Sequence, residues 1–313
     1  MLLIRGLAAC PSDDRPSAVV IGNVDGVHVG HQALIERAAV CARQSDARLT
    51  VLTFEPYPRE FLVPTQAPAR LMRLREKYEA IKALGVDCLL VARFDRALQA
   101  LSPQAFVDEV LVRRLKARAV VIGEGFRFGA KQSGHVEHLA LAGQASGFEV
   151  HVMPSVLLGG ERVSSTRIRA ALAAGDFALT TRLLGRPFAL SGRVIGGERL
   201  GRTLGYPTAN MRLYRQKLPL GGIFAVRVQG VAGRPNAPGV ASLGTRPTVG
   251  GDLEPLLEVH LFDYSGDLYG QRLHVEFVAK LREEAKFPSL DAMIEQMHVD
   301  AARARELLNL AAA

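Results

Sequence analysis

Apolar residues recur in two different rhythms along this chain of 313 residues, and the rhythm changes near Arg186. Before that point the runs AVVIG (18–22), RLTVLTF (48–54), CLLVARF (88–94), AVVIG (119–123) and FEVHVM (148–153) predict five strands. Amphipathic stretches over 31–44, 70–85, 102–115 and 135–146 predict the helices between them, with Ser102 and Pro103 opening the third. Short apolar strands with intervening helices predict a parallel sheet covered on both faces. In such a sheet, ligands bind beyond the carboxyl ends of the strands. After LLGRP (183–187) the period falls to two. Leu257, Val259 and Leu261 share one strand face, and Leu273, Val275 and Phe277 share another. Turns rich in Gly and Pro separate these runs, which predicts an antiparallel sheet or barrel. PSLDAMIEQMHVDAARARELLNL reads as a closing helix, and the two domains are expected at 1–186 and 187–313.

The apolar content of 48% suffices for two cores, and the net charge of +8 favours anionic ligands. No long Lys/Arg block and no stripe of basic residues interleaved with aromatics occurs, which argues against a nucleic-acid partner. Cys10, Cys41 and Cys88 lack metal-ligand spacing and read as reduced thiols. No apolar run reaches membrane-spanning length, and MLLIRGL lacks a signal-peptide core. The expectation is a soluble cytoplasmic protein without a membrane partner. Oligomeric state is left open, a weak homo-oligomer included.

GNVDGVHVGH (22–31) leaves the first predicted strand at its carboxyl end. Gly22, Gly26 and Gly30 permit close backbone approach to a ligand, and a helix starting near Val29 or Gly30 offers unpaired N–H groups to phosphate. His28 and His31, three apart, point the same way. A bare HxxH is more often a turn with two ordinary histidines, and a zinc reading is weak without HExxH or a third ligand. VSSTRIR (163–169) places Ser164, Ser165 and Thr166 before another helical run, where they can cap it and donate to phosphate. Arg167 and Arg169 lie on different sides of that helix, so one of them is expected to face a ligand. Together the two stretches predict one phosphate-binding crevice.

The second half has its own constellation. Gly197, Gly201 and Gly205 suggest a flap whose N–H groups cover phosphates, with Arg199 and Arg202 adding charge. PTAN places Thr208 and Asn210 on one side of an extended segment, where both offer oxygens to a metal or phosphate, although a plain Gly/Pro loop would look the same. GxxxxGK[ST] is absent, so this is no Walker loop. Glu258 points away from the apolar face of its strand, together with His260. Strand glutamates are mostly solvated, but a kinase acting on an alcohol benefits from a carboxylate that accepts the hydroxyl proton.

The HxGH form at 28–31 and the SSTxxR form at 164–169 resemble the adenylyltransferases of the HxGH class. The fuller string GNVDGVHVGH, with TFEPYPREF (53–61) and GEGFRFG (123–129), is similar to the adenylyltransferase half of the prokaryotic bifunctional riboflavin kinase/FAD synthetases. GRTLGYPTAN, GVASLGTRPT (239–248), LEVHLFDYSGDLYG (257–270) and LREEAKF (281–287) resemble the riboflavin kinase module of that family.

The resemblance implies a Rossmann-like α/β nucleotidyltransferase domain, then a six-stranded antiparallel β-barrel with a C-terminal helix. It implies that riboflavin is phosphorylated to FMN in the second half and that FMN is adenylylated to FAD in the first, ATP serving both steps with Mg2+. His28, His31 and Arg169 would stabilise charge on phosphates, and Glu258 would be the kinase base. Gly22, Asn23, Asp25, Gly26, Gly30, Ser164, Ser165, Thr166, Gly197, Gly201, Arg202 and Gly205 would bind nucleotide. Tyr57, Gly125, Phe126, Phe128, Arg282 and Phe287 would meet flavin, and Thr208 and Asn210 would hold the metal. The family commonly has Phe at Val24, His at Tyr57, Asp or Asn at Gly125, and Tyr at Phe224. The first three departures motivate a rival reading, a kinase with a weakened adenylyltransferase half. A flavin- or RNA-binding regulator without catalysis is a second rival.

Overall fold

The computed structural model describes residues 1–10, 15–196, 205–247 and 253–309. The chain divides into two compact units, Met1–Pro68 with Leu74–Ser164, and Ala69–Arg73 with Ser165–Ala313.

The first unit is built on a six-stranded parallel sheet: β1 (Leu2–Arg5), β2 (Ser17–Ile21), β3 (Arg48–Glu55), β4 (Cys88–Arg93), β5 (Ala117–Gly123) and β6 (Glu149–Met153). Their order is β1-β4-β3-β2-β5-β6, so the chain reverses direction across the sheet between β2 and β5. β2 is buried at all five positions, as a central strand with both faces covered must be. The helices α1 (Val29–Gln44), α2 (Leu74–Lys82) and α3 (Val136–Ser146) follow β2, β3 and β5.

Sequence reading anticipates five of these strands and misses β1, a four-residue run paired with β4 at the sheet edge. The helix expected over 70–85 is confined to Leu74–Lys82, and residues 69–73 belong to the other unit. The helix expected over 102–115 is capped by the Ser102 hydroxyl, which accepts from the Ala105 N–H, but widens to a π-helix over Val107–Arg114. There the Leu115 N–H reaches back five residues to the Val110 carbonyl at 3.0 Å.

The second unit opens with α4 (Ser165–Ala173) and α5 (Phe177–Leu184) and then forms a closed six-stranded antiparallel barrel. Its strands are β9 (Ala189–Ile195), β10 (Thr208–Arg212), β11 (Gly222–Gln229), β12 (Ala237–Pro247), β13 (Leu253–Leu261) and β14 (Arg272–Arg282), the numbers β7 and β8 belonging to the two-residue strands Leu157–Leu158 and Glu161–Arg162. Met211, Phe224, Leu243, Leu257, Val259 and Val275 fill the barrel with no exposed surface. Phe177 of α5 stands edge-on to Phe224 and stacks with Phe277, at 5.9 and 6.1 Å between ring centres. The closing helix α6 (Leu290–Leu307) lays Ala304 against Ala225 and Phe262 on the outside of the barrel.

Candidate active sites

In the first unit the turn from β2 to α1 lies at the carboxyl edge of the sheet, beside β5, where the strand order reverses. Open α/β sheets place their ligands at this switch point. His28 is the N-cap of α1, and its Nδ1 accepts from the His31 N–H at 3.3 Å. That leaves Nε2 as the proton-bearing nitrogen of a neutral His28 ring, able to donate to an anion. The two imidazoles stack with 3.6 Å between centres. A Cβ at Gly30 would lie 3.2 Å from Cε1 and Nδ1 of His28, so the glycine leaves room for this ring over the start of the helix. The Val163 carbonyl lies 4.0 Å from the same point, which brings the beginning of VSSTRIR beside the HxGH turn.

The rest of the turn is unusually shaped. Val24 and Val27 have φ of 48° and 45°, a region in which β-branched residues are outliers, and Gly26 between them has φ of 88°. Gly22 is half-buried, Asn23 is exposed, and Asp25 is buried with its carboxylate accepting from the Tyr57 hydroxyl at 3.2 Å. Tyr57 is itself buried, so the structure turns this residue toward the Gly22–His31 turn. Phe128 packs into the core against Phe106, Phe126 stacks on it at 5.7 Å and is half-buried, and Gly125 is exposed.

Ser164 ends the first unit and is half-buried. In the second unit, Ser165 and Thr166 begin α4. Arg169, half-buried, donates from Nε to the Ala69 carbonyl at 2.5 Å, and Arg167 is also half-buried.

The barrel carries the second candidate site. Thr208 and Asn210 are two apart on β10 and so share a face. Asn210 is the register partner of Glu258, and Thr208 that of His260. Asn210 is buried, whereas Thr208, Glu258 and His260 are half-buried. Two neutral oxygens and a carboxylate on one sheet face are hard donors of the kind magnesium takes together with nucleotide phosphates. Among the described residues no group of three or more His, Cys, Asp or Glu could hold a metal ion. A cavity of about 640 Å3 opens beside Thr208, lined also by Pro207, Ala209, Val259, Leu261 and the segment 264–269. Gly205 has φ of 80°, and Gly197, Gly201 and Arg202 lie outside the described residues.

Arg282 and Phe287 come together, the guanidinium 5.5 Å from the ring centre. Arg282 also donates to both carboxylate oxygens of Asp300 on α6, Nε at 3.0 Å to each and Nη2 at 2.7 Å to one. Next to the PTAN strand, the His260 Nδ1–H donates to the Pro207 carbonyl at 3.0 Å, and Tyr206 pairs with Nδ1 of His298 at 2.5 Å. Burial pushes the Tyr206 hydroxyl above its ordinary range.

Sequence reasoning missed Lys77, Thr53, Asp300 and this Tyr206–His260–His298 cluster. One signal was available for Lys77: it occupies the core-facing register of α2, four residues before Ile81.

The FAD synthetase family matches residues 10–167, and the riboflavin kinase family matches residues 184–308. The bifunctional riboflavin kinase/FMN adenylyltransferase of Escherichia coli (strain K12) is 44% identical over 311 residues, covering 99% of each chain. The protein of the same name from Pseudomonas fluorescens is 46% identical over 307 residues, covering 98% of each. A crystal structure titled macrolide-efflux protein, from Streptococcus pneumoniae, superposes with a TM-score of 0.81 at 30% identity, covering 96% of this chain and 97% of that one. Among the described residues of this chain, no helix is long and apolar enough to cross a membrane. An FAD synthetase match on the parallel-sheet half, a riboflavin kinase match on the barrel half and relatives that span both at over 40% identity make this chain a member of the bifunctional riboflavin kinase/FMN adenylyltransferase family.

Proposed function

We propose that residues 187–313 transfer the γ-phosphoryl group of ATP to the 5′-hydroxyl of riboflavin, and that residues 1–186 join the resulting FMN to the adenylyl group of a second ATP. The observation that most supports the pairing is that relatives carrying both activities in their names align over 98–99% of the chain.

In the kinase half, Glu258 accepts the proton of the attacking hydroxyl. Its register partner Asn210, with Thr208, would hold magnesium, which when bound neutralises charge on the phosphate oxygens. The cavity beside Thr208 has the volume of a small-ligand pocket and takes the nucleotide. Arg282 and Phe287 offer a guanidinium and an aromatic edge to the flavin.

In the adenylyltransferase half, the FMN phosphate attacks the α-phosphorus of ATP and pyrophosphate leaves. No protein nucleophile is required. The catalytic task is positioning and stabilising charge on the phosphates. His28 and His31 meet that task from the N-terminus of α1, whose dipole favours an anion. Arg169 would add positive charge to this step. The enzyme works in the cytoplasm on small molecules, and nucleic acid is no partner.

The test is incubation with riboflavin, ATP and magnesium chloride, followed by chromatographic separation of the flavins. FMN should appear first and FAD after it. FMN without FAD would leave the kinase alone, the outcome suggested by Val24, Tyr57 and Gly125. Formation of neither product would overturn the proposal.

A further inference from the structure

A buried lysine lies against the turn that carries His28 and His31. Lys77 is 1% exposed. Its ammonium donates to the Asn23 carbonyl at 2.6 Å and to Thr53 Oγ1 at 3.2 Å, and lies 4.4 Å from the centre of the Tyr57 ring. The Thr53 hydroxyl donates to the same Asn23 carbonyl at 3.1 Å. The Tyr57 hydroxyl reaches the Asp25 carboxylate at 3.2 Å. Lys77 therefore meets the turn directly at Asn23 and reaches Asp25 through Tyr57.

Taking an ammonium out of water is costly, and an apolar side chain of similar volume in such a place is often neutral or stabilising. Stability alone does not account for a lysine here. What it holds is distinctive: Asp25 and Gly26 are flanked by two valines with positive φ. Backbone of this kind persists only where its surroundings over-determine it, and it concentrates at sites that act through pre-organised geometry. The Asn23 carbonyl, gripped by two donors, enters that stretch on one side, and His28 leaves it on the other as the cap of α1.

We infer that Lys77 is a positioning residue for adenylyl transfer. Its ammonium, through the Asn23 carbonyl, Thr53 and the Tyr57–Asp25 pair, holds the Asn23–Val27 turn in the shape that sets His28 and His31 at the start of α1. The lysine itself does not meet the substrate. This inference rests on the proposed FMN adenylylation by the first half.

The experiment uses the full chain with FMN, ATP and excess magnesium. Lys77→Met should lower kcat for FAD formation on the order of 10²-fold, the cost of a small misplacement of reacting groups, with KM for ATP and FMN changing far less. Riboflavin phosphorylation by the same sample should be unaltered. In Lys77→Ala, added propylamine should restore FAD formation and propanol should not, a split that mere volume filling would not produce. FAD formation by Lys77→Met at the unmutated rate, or equal recovery with propanol, overturns the inference. Should the Lys77 variants not fold, Tyr57→Phe removes one bond of the network and Thr53→Val removes two. Both should lose kcat at little-changed KM, and unmutated rates in both overturn the inference as well. If the unmutated protein makes no FAD, the adenylyl reading falls and this inference with it. If it makes FAD and the variants match it, only the inference falls.

Discussion

Asn210 and Glu258 face each other as register partners across β10 and β13, so a carboxylate stands directly opposite an amide on the same face of the barrel. This pairing ties PTAN to a residue 48 positions further on, which no linear motif could do. If Glu258 is the base that takes the riboflavin hydroxyl proton, Glu258→Gln should cut FMN formation by roughly 10²–10⁴. Supplied FMN should still be converted to FAD at the unmutated rate. A kinase rate near the original in the variant would leave Glu258 as a strand residue only.

His31→Ala removes one of the stacked rings at the start of α1. The loss of one pre-organised donor typically costs on the order of 10²–10³ in rate. That loss should appear in FMN-to-FAD turnover more than in ATP affinity, because the charge being stabilised grows in the transition state. Single-turnover FAD formation with saturating ATP measures it.

Gly30→Ala separates function from stability. The new methyl would press on the His28 ring at 3.2 Å, while helix propensity gains up to about 1 kcal/mol from Gly to Ala. The melting temperature should change little, and FAD formation should fall by about tenfold or more as His28 is displaced. Retained FAD synthesis would show that the ring tolerates the shift.

Asp300→Ala leaves the Arg282 guanidinium without the carboxylate that takes three of its hydrogen bonds. Asp300 is buried but the guanidinium is partly exposed, so the loss should be about 1–3 kcal/mol, and denaturant unfolding should show it. The riboflavin KM should rise in the same variant, since Arg282 would no longer be held beside Phe287.

The barrel unit should also lose stability on mild acidification. Burial pushes the His260 imidazole below its ordinary value, the Pro207 hydrogen bond opposes the shift, Arg305 adds to it and Asp263 opposes it. With the folded value depressed, the unfolded chain binds the proton more readily. The contribution is therefore present above the ordinary value of about 6.5 and is lost as pH falls through the folded one. Melting temperatures at about pH 7.5 and about pH 5.5 should differ more for the unmutated protein than for His260→Asn.

Most strands were readable because their burial is regular. β2 is apolar throughout because both of its faces are covered, and β13 alternates at Leu257, Val259 and Leu261 because one of its faces fills the barrel. β1 was not readable: a four-residue run with three exposed positions carries no period. Local geometry was readable in His28-Val29-Gly30-His31, whose glycine and histidines meet within a single turn. Partners brought in from elsewhere were not. Lys77 lies 54 residues from the carbonyl it binds, and Asp300 lies 18 from Arg282. Tyr57, expected against flavin, is buried with its hydroxyl on Asp25, a contact that depends on how the segment after β3 folds back on the turn.

The ring of Phe177 gives the chain a folding frontier that differs from its chemical one. Kinase chemistry is proposed for the residues after 186, yet the barrel aromatics Phe224 and Phe277 are covered by a residue nine positions before that point. The Arg70 carbonyl, which Arg215 reaches at 2.8 Å, lies further upstream still. A kinase excised at Arg186 would carry every residue assigned to phosphorylation while baring a hydrophobic scar where Phe177 had been. Evolution or an engineer separating these two catalysts would have to cut at Ser165, and would still have to do without Ala69–Arg73. In this chain the seam of the fold and the seam of the proposed chemistry fall at different places.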